Sequence, residues 1–175
     1  GITSFTREQR AAQIAKANPQ AVIMVTLFKP TAEFVRQMRK AGQSPQFSTL
    51  SPIGADILVA DMGAREAHGI GISQAMPYHW NDTLPVVREY HKALQAFAKH
   101  GNYSYYGLEG FINAKLMAEA IRKTGKDLTR EKLINALESS NFDLGGYKLG
   151  YTPANHNGSR FVDLTVLSRD GRVLR

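Results

Sequence analysis

Up to Pro77, the apolar positions change repeatedly from helical spacing to short continuous runs. The run over 21–27 is rich in β-branched residues and bounded by turn residues, which predicts a strand buried on both faces. Thr6 and Gln9 have the spacing of a capping box and predict the start of a first helix. The complete pattern predicts helices over 6–17, 30–42 and 54–62, and strands over 21–27, 46–50 and 69–76.

Helices and strands that alternate with short connections predict right-handed crossovers and a parallel sheet. Each predicted helix has an apolar face for packing on that sheet. The residues expected on these faces are Phe34, Val35, Met38 and Ala41 in one helix, and Ile57, Leu58 and Met62 in the next. The expected fold class is therefore α/β, a three-layer αβα arrangement.

After Pro77 the pattern becomes helical and then returns to strands. Thr83 is predicted to cap the first of three helices. Thr129 is the expected N-cap of the third, with Leu128 and Leu133 as a hydrophobic staple. Asp170-Gly171 predicts a tight hairpin turn before a last strand. These added helices cover 83–98, 104–124 and 129–139, and the added strands cover 145–151, 161–167 and 173–174.

Composition excludes several classes of protein. With 43% apolar and 21% charged residues, the chain is typical of a globular protein. The absence of cysteine excludes disulfides, thiolate catalysis and cysteine-ligated zinc. No apolar run approaches the roughly 20 residues of a membrane-spanning helix. The first six residues lack the pattern of a signal peptide, so any export signal is expected upstream of this chain.

The charge of the chain does not indicate a nucleic-acid partner. The 22 basic and 15 acidic residues give a net charge of +7. The densest basic clusters, at 36–40 and 122–126, lie near predicted helix ends, where cations complement the helix dipole. No basic stretch interleaves with aromatic residues as a stacking platform does. We therefore expect no binding of nucleic acid.

Catalytic signals are weak. Ser73 lies in a segment that approximates a nucleophile elbow, but Pro77 follows closely and Ala75 replaces the second glycine. No two of the five histidines have the i, i+4 spacing that binds zinc on one helical face. His79 and Trp80 together can line a cleft, although a packed tryptophan beside an exposed histidine is the simpler interpretation. We expect no metal, no cofactor and no enzymatic activity; a small α/β hydrolase-like enzyme using Ser73 is kept as an alternative.

Several segments, in order along nearly the whole chain, resemble the second half of periplasmic solute-binding proteins of ABC transporters, of the branched-chain amino-acid (Leu/Ile/Val) binding family. These segments are 17–23 (Ala-Asn-Pro-Gln-Ala-Val-Ile), 27–30 (Leu-Phe-Lys-Pro), 37–42 (Gln-Met-Arg-Lys-Ala-Gly), 84–90 (Leu-Pro-Val-Val-Arg-Glu-Tyr), 104–111 (Ser-Tyr-Tyr-Gly-Leu-Glu-Gly-Phe), 128–133 (Leu-Thr-Arg-Glu-Lys-Leu) and 161–166 (Phe-Val-Asp-Leu-Thr-Val). The resemblance implies a periplasmic binding protein type I-like fold, of which this chain is a part.

The resemblance also implies an organisation into two lobes that close on a ligand. Residues 1–77 would belong to the C-terminal lobe, residues 78–160 would supply helices to the N-terminal lobe, and residues 161–175 would return to the C-terminal lobe. The front half of the family's fold, including the central sheet of its N-terminal lobe, is absent from this sequence. A periplasmic location is implied as well.

The expected ligand-binding residues follow two of the predicted strands. Ligands of open α/β sheets bind beyond the carboxyl ends of the strands, which here are Leu27, Phe28 and Lys29, and then Ser51 and Pro52. Similar proteins place an aromatic wall and an acidic group at these positions. Ser51 stands where the acidic group is expected, so a small carboxylate other than a branched-chain amino acid is an equally good ligand. Each of these residues also has a simpler role in packing or on the surface.

The resemblance implies a substrate-binding component that captures an amino acid or a similar small carboxylate and transfers it to a membrane permease. A ligand-sensing regulatory module is a second alternative, since the same bilobed fold also serves as a sensor. Exposed sheet edges and uncovered helix faces further predict association of two copies of the chain into a homodimer.

Overall fold

The computed structural model of the protein describes residues 7–98 and 101–175. These residues form two compact units, one made of the chain up to Gln74 with Val162–Arg175, the other of Ala75–Phe161. We call them the sheet unit and the helical unit. The helices are α1 (Arg7–Lys16), α2 (Phe28–Lys40), α3 (Ala55–Met62), α4 (Ala64–Ala67), α5 (Pro85–Phe97), α6 (Tyr105–Thr124) and α7 (Arg130–Glu138). The strands are β1 (Ala21–Met24), β2 (Gln46–Leu50), β3 (Gly71–Gln74), β4 (Asn141–Asp143), β5 (Lys148–Gly150), β6 (Asp163–Leu167) and β7 (Val173–Leu174).

The sheet unit is built on a five-stranded sheet with the order β1-β2-β3-β6-β7. The first three strands are parallel, as the alternating pattern predicts, and they are joined by helices. The last two are antiparallel, because β6 pairs with β3 in the opposite direction and a tight turn returns the chain into β7. The sheet is therefore mixed, whereas the sequence predicted a parallel one. The predicted N-cap Thr6 lies outside the described residues.

Helices cover one face of this sheet and form the core with it. Val35 and Met38 of α2 are fully buried, as are Ile53 and Leu58 after β2. Side chains that alternate along the strands, such as Phe47, supply the other side of this core. Ile57, which was expected on the buried face of α3, is 42% exposed, because the short helix turns Leu58 and Met62 towards the core instead.

The opposite face of the sheet is apolar and uncovered by the described residues. Ile23 of β1 is 76% exposed and Leu164 of β6 is 75% exposed. The prediction that the 21–27 run is buried on both faces is therefore wrong. Its composition is that of a buried strand, but β1 lies at the edge of the sheet and the helices of this unit pack on the other face.

In the helical unit, α5, α6 and α7 surround a short hairpin formed by β4 and β5. Phe142 and Leu144 are buried at its centre, packed against the apolar faces of α5 and α6. The side chain of Thr129 caps α7 by accepting a hydrogen bond from Lys132 N at 3.2 Å, as predicted. The same prediction for Thr83 is wrong, because α5 begins at Pro85 and its N-cap is Leu84, without a side-chain bond.

Two of the three predicted C-terminal strands are shorter than expected, whereas β7 has the predicted bounds. Within the predicted strand 145–151, only Lys148–Gly150 is extended in a ladder, because Gly145 and Gly146 have φ of 98° and 87° and form the turn. The strand before this turn, β4, was missed. The hairpin at Asp170-Gly171 is confirmed, with Gly171 at φ 80°. The assignment of residues 1–77, 78–160 and 161–175 to lobes of a larger protein stays a prediction.

Candidate ligand-binding edge of the sheet

The two segments expected to bind ligand lie at the carboxyl ends of neighbouring strands in the sheet. Strands β1 and β2 are parallel neighbours, with Met24 opposite Thr49, so their carboxyl ends point the same way. Leu27, Phe28 and Lys29 follow the first strand, and Ser51 and Pro52 follow the second. We call these five residues the carboxyl edge. The fold therefore brings both predicted segments to the position where open α/β sheets bind ligands.

The first segment of the carboxyl edge leads into α2. Leu27 is the N-cap, with extended backbone angles of φ −84° and ψ 173°, and its side chain is 61% exposed. Phe28, the first residue of the helix, is half-buried and packs against the core of the sheet unit. Contacts with this core therefore hold Phe28 in place, and its side chain retains partial exposure at the edge.

Lys29 gives this edge a positive charge. Its ammonium group lies 6.0 Å from the centroid of the Phe28 ring, at the outer limit of a cation–π contact. Lys29 forms no ion pair within the described residues. The first turn of α2 also contains no acidic residue, and its N-cap provides no side-chain hydrogen bond. Helix amides and an unpaired ammonium group together favour a negatively charged group.

The second segment forms a 3-10 helix over Ser51–Ile53. It is closed by a hydrogen bond of 3.1 Å from Gly54 N to the carbonyl of Ser51. Gly54 has φ 69°, a conformation that side chains with a Cβ rarely adopt, and it allows the chain to turn directly into α3. The Ser51 hydroxyl is partly exposed and can donate or accept one hydrogen bond.

A strand carboxylate on this side of the sheet, that of Asp163, is already paired. Gln74 ends β3 and lies opposite Asp163, the first residue of the antiparallel strand β6. Asp163 therefore lies at the same side of the sheet as the carboxyl edge. Its Oδ2 is 2.6 Å from Nε of Arg175. With Asp163 paired with Arg175, the ammonium group of Lys29 supplies a positive charge next to these segments, without an ion pair in the described part of the chain.

Sequence reasoning missed a row of buried polar residues beside the carboxyl edge. Gln74 is 2% exposed, and its amide nitrogen lies 3.4 Å from the hydroxyl of Thr165. That hydroxyl donates to the carbonyl of Ile72 at 2.8 Å, and Thr49 donates to the carbonyl of Met24 at 3.1 Å. The sequence signal that could have identified these buried polar residues is the alternation of polar and apolar residues in β2 and β3. These bonds hold the strand ends in register.

Ser73 is not presented on a turn. It lies within β3, paired with Leu50 on one side and Leu164 on the other, and the next long helix begins only at Pro85. The strand-to-helix turn of a nucleophile elbow is therefore not formed. Among the described residues, no group of three or more metal-ligating side chains is present.

The interpretation of His79 and Trp80 was wrong in detail. His79 is buried at 6% exposure, and Trp80 is 55% exposed. The His79 ring contacts Tyr105 edge-on at a centroid distance of 4.7 Å, and Trp80 contacts Tyr103 in the same way at 4.7 Å. The exposed indole therefore belongs to an aromatic cluster on the helical unit.

None of the helices in the described part of the chain combines the length and apolar character needed to cross a membrane.

Comparison with known proteins gives a consistent result. Residues 4–172 match a family described as periplasmic binding protein. No curated protein matches the chain. A substrate-binding periplasmic protein from Ralstonia solanacearum is 33% identical, with a TM-score of 0.82 over 94% of this chain and 48% of its own. A possible leucine/isoleucine/valine-binding protein from Rhodopirellula baltica is 31% identical, with a TM-score of 0.87 over 97% of this chain and 47% of its own. An extracellular ligand-binding receptor from Verminephrobacter eiseniae is 30% identical, with a TM-score of 0.84 over 97% and 48%.

The chain thus spans about half the length of the solved structures that it matches. The expected fold class, an α/β fold that is part of a type I-like periplasmic binding protein, is confirmed, although the sheet is mixed and not parallel throughout.

Proposed function

Since the chain belongs to the periplasmic binding protein family, we propose that it forms part of a substrate-binding protein of an ABC uptake system. The protein captures an amino acid or a similar small carboxylate in the periplasm and transfers it to a membrane permease. The mechanism is a closure of two lobes that buries the ligand and excludes water. The name of the Rhodopirellula baltica protein, a possible leucine/isoleucine/valine-binding protein, supports a solute of this class.

The observation that carries this proposal is the placement of the carboxyl edge. Phe28 supplies an apolar ring, Lys29 a positive charge and Ser51 a hydroxyl group, all at the same edge of two parallel strands. An anionic carboxylate paired with Lys29, and an apolar or aromatic side chain against Phe28, match these groups. Leu27 and Pro52 complete the apolar rim.

A thermal-shift screen of this chain against amino acids, small aromatic acids and short peptides tests the proposal. A ligand that binds only the folded chain stabilises it by about 2.7 kcal/mol at a concentration one hundred times its dissociation constant. Lys29→Gln and Ser51→Ala are expected to reduce the shift caused by a carboxylate. Lys126→Gln and Ser44→Ala are the matched controls, because both residues are exposed and lie outside the carboxyl edge. An unchanged shift in the two site variants contradicts the assignment of these residues.

A second copy of the chain is a further proposed partner. The uncovered sheet face presents Ile23, Leu164 and Val166 without any charged residue, so two copies of this face meet without repulsion despite the net charge of the chain. Burial of this face makes self-association favourable. Size-exclusion chromatography with light scattering is expected to show a dimer, and Leu164→Glu is expected to shift it to monomer. A monomer at every concentration contradicts this proposal.

A further inference from the structure

The helical unit contains a cavity of about 750 Å³. It lies beside the hairpin of β4 and β5, under the loop over 151–160. We call it the hairpin cavity. Its volume is within the range of small-molecule sites, roughly 300–1,000 Å³. No residue of the carboxyl edge lines it, so a ligand here goes beyond the function proposed above.

The loop that borders the hairpin cavity is held by its own hydrogen bonds. Thr152 and Asn155 exchange backbone bonds of 2.9 and 3.0 Å, and the side-chain oxygen of Asn155 accepts from Asn157 N at 2.9 Å. Gly150 N donates to the carbonyl of Gly158 at 2.9 Å, which ties the loop to β5. These hydrogen bonds fix the geometry of the loop before any ligand binds, which lowers the entropic cost of binding.

Two glycines leave room in this region. A Cβ on Gly158 would overlap the ring of Tyr151, so the loop passes closely over that ring only because residue 158 has no side chain. A Cβ on Gly150 would lie 2.9 Å from the side-chain oxygen of Asn141, on the hairpin face that lines the cavity. The tyrosine ring and the asparagine amide are thus kept at the wall of the cavity.

The charges of the hairpin cavity favour an anion. Lys148 and Arg160 both line it, and within the described residues neither forms an ion pair. The carboxylate in the wall, Asp143, already accepts hydrogen bonds at one oxygen from Gly145 N at 3.1 Å and from Gly146 N at 2.7 Å. Two cations against one partly engaged carboxylate leave a net positive site.

The neutral groups of the cavity match a ligand rich in hydroxyl groups. Asn155, Asn157 and Thr152 provide amide and hydroxyl groups that both donate and accept hydrogen bonds. The second oxygen of Asp143 has no hydrogen bond within the described residues and can accept from a hydroxyl. The ring of Tyr151 offers an apolar surface for carbon atoms.

We propose that the hairpin cavity binds a sugar acid, a small polyhydroxylated carboxylate. Its carboxylate pairs with Arg160 and Lys148, and its hydroxyl groups bond to Asp143 and to the asparagine side chains. Arg160 contributes most to this recognition, because a guanidinium group binds a carboxylate through two parallel hydrogen bonds.

Isothermal titration calorimetry of the full chain with D-gluconate tests the proposal. D-glucitol, which has the hydroxyl groups without the carboxylate, and acetate, which has the carboxylate without the hydroxyl groups, are the matched probes. D-gluconate is expected to bind more tightly than either. Arg160→Gln is expected to weaken D-gluconate binding by about tenfold or more, as for the loss of a charge-assisted hydrogen bond. Lys126→Gln, which removes an exposed cation from the same unit, is expected to leave binding unchanged.

Amide chemical-shift mapping separates this site from the carboxyl edge. D-gluconate is expected to shift the resonances of residues 141–160, with those of the carboxyl edge unchanged. The proposal is overturned if D-gluconate gives neither heat nor shifts, if acetate binds equally well, or if an Arg160→Gln variant with an unchanged melting temperature binds normally. Shifts confined to the carboxyl edge would also overturn it, while supporting the function proposed for that edge.

Discussion

The hydroxyl group of Tyr90 occupies the space that a Cβ on Gly107 would need. Tyr90 lies on α5, is buried at 3% exposure, and accepts a hydrogen bond from Ser104 N at 3.2 Å. Gly107 lies in the first turn of α6. The close approach of α5 and α6 therefore depends on the absence of a side chain at Gly107, where the Tyr90 hydroxyl group lies. This contact fixes the position at which α6 begins.

This relationship predicts the effect of Gly107→Ala. The new methyl group forces the Tyr90 ring or the helix to move, which is expected to lower the free energy of unfolding by about 1–3 kcal/mol, the range for overpacking a core. Gly110→Ala is the matched control on the same helix, because a Cβ there meets nothing within 4 Å. Alanine is the better helix former, so the control should be more stable by about 0.5–1 kcal/mol. Chemical denaturation measures both values, and equal effects of the two substitutions would contradict the packing argument.

A second prediction concerns the helix caps. Ser104 accepts a hydrogen bond from Gly107 N at 3.0 Å, so Ser104→Ala is expected to cost about 1 kcal/mol of stability. The exposed Thr83 bonds instead to the side chain of Asn81 at 2.6 Å, outside the N-cap of α5. Thr83→Ala should therefore cost much less. A loss of stability in Thr83→Ala that matches that of Ser104→Ala would restore Thr83 as a cap.

A third prediction concerns the decrease in the stability of the fold at acidic pH. Hydrogen bonds from the amides of Gly146 and Gly145 hold the pKa of Asp143 below its ordinary value of 3.8. Because the pKa is lower in the folded chain, the carboxylate stabilises the fold above pH 3.8, and this contribution is lost as the pH falls through the folded pKa. Carbon-detected titration should give a value below 3.8 for Asp143.

The substitution Asp143→Asn tests the same point by a different route. It keeps an oxygen for the two glycine amides but removes the titrating group, so stability should depend less steeply on pH below 3.8. Asp82→Asn is the matched control, because it removes an equal charge from an exposed aspartate outside this turn. If the Asp143→Asn variant and the unmodified chain lose stability with acid in the same way, the amides of the turn do not stabilise the ionised carboxylate of Asp143.

Much of the fold was predictable because local patterns and tertiary packing agree. The strand over Gln46–Leu50 has the predicted bounds, and Thr129 caps α7 as its spacing indicated. The local pattern and the tertiary packing disagree where the burial of a strand depends on the other elements that cover the sheet. The apolar run at β1 is typical of a strand buried on both faces, yet Ile23 is exposed because the described helices of this unit cover only the other face of the sheet.

The candidate site was predictable in position but not in detail. Parallel strands bring Phe28 and Ser51 to one edge whatever their side chains, so the topology alone indicates the location. The pairing of Asp163 with Arg175, both distant in sequence from Lys29, leaves no unpaired charge on that aspartate and has no local signal in the sequence. The hairpin cavity was missed because the strand β4 was missed and Gly145-Gly146 was assigned to a strand.

Amide chemical-shift mapping of the carboxyl edge is the most direct test of the central claim, that this chain binds a small carboxylate there. The chain is titrated with the amino acid or aromatic acid that raises its melting temperature most. We expect the largest shifts on Leu27, Phe28, Lys29 and Ser51, and we expect Lys29→Gln to reduce them. Shifts that fall elsewhere, or the absence of shifts with every such carboxylate, would contradict this claim.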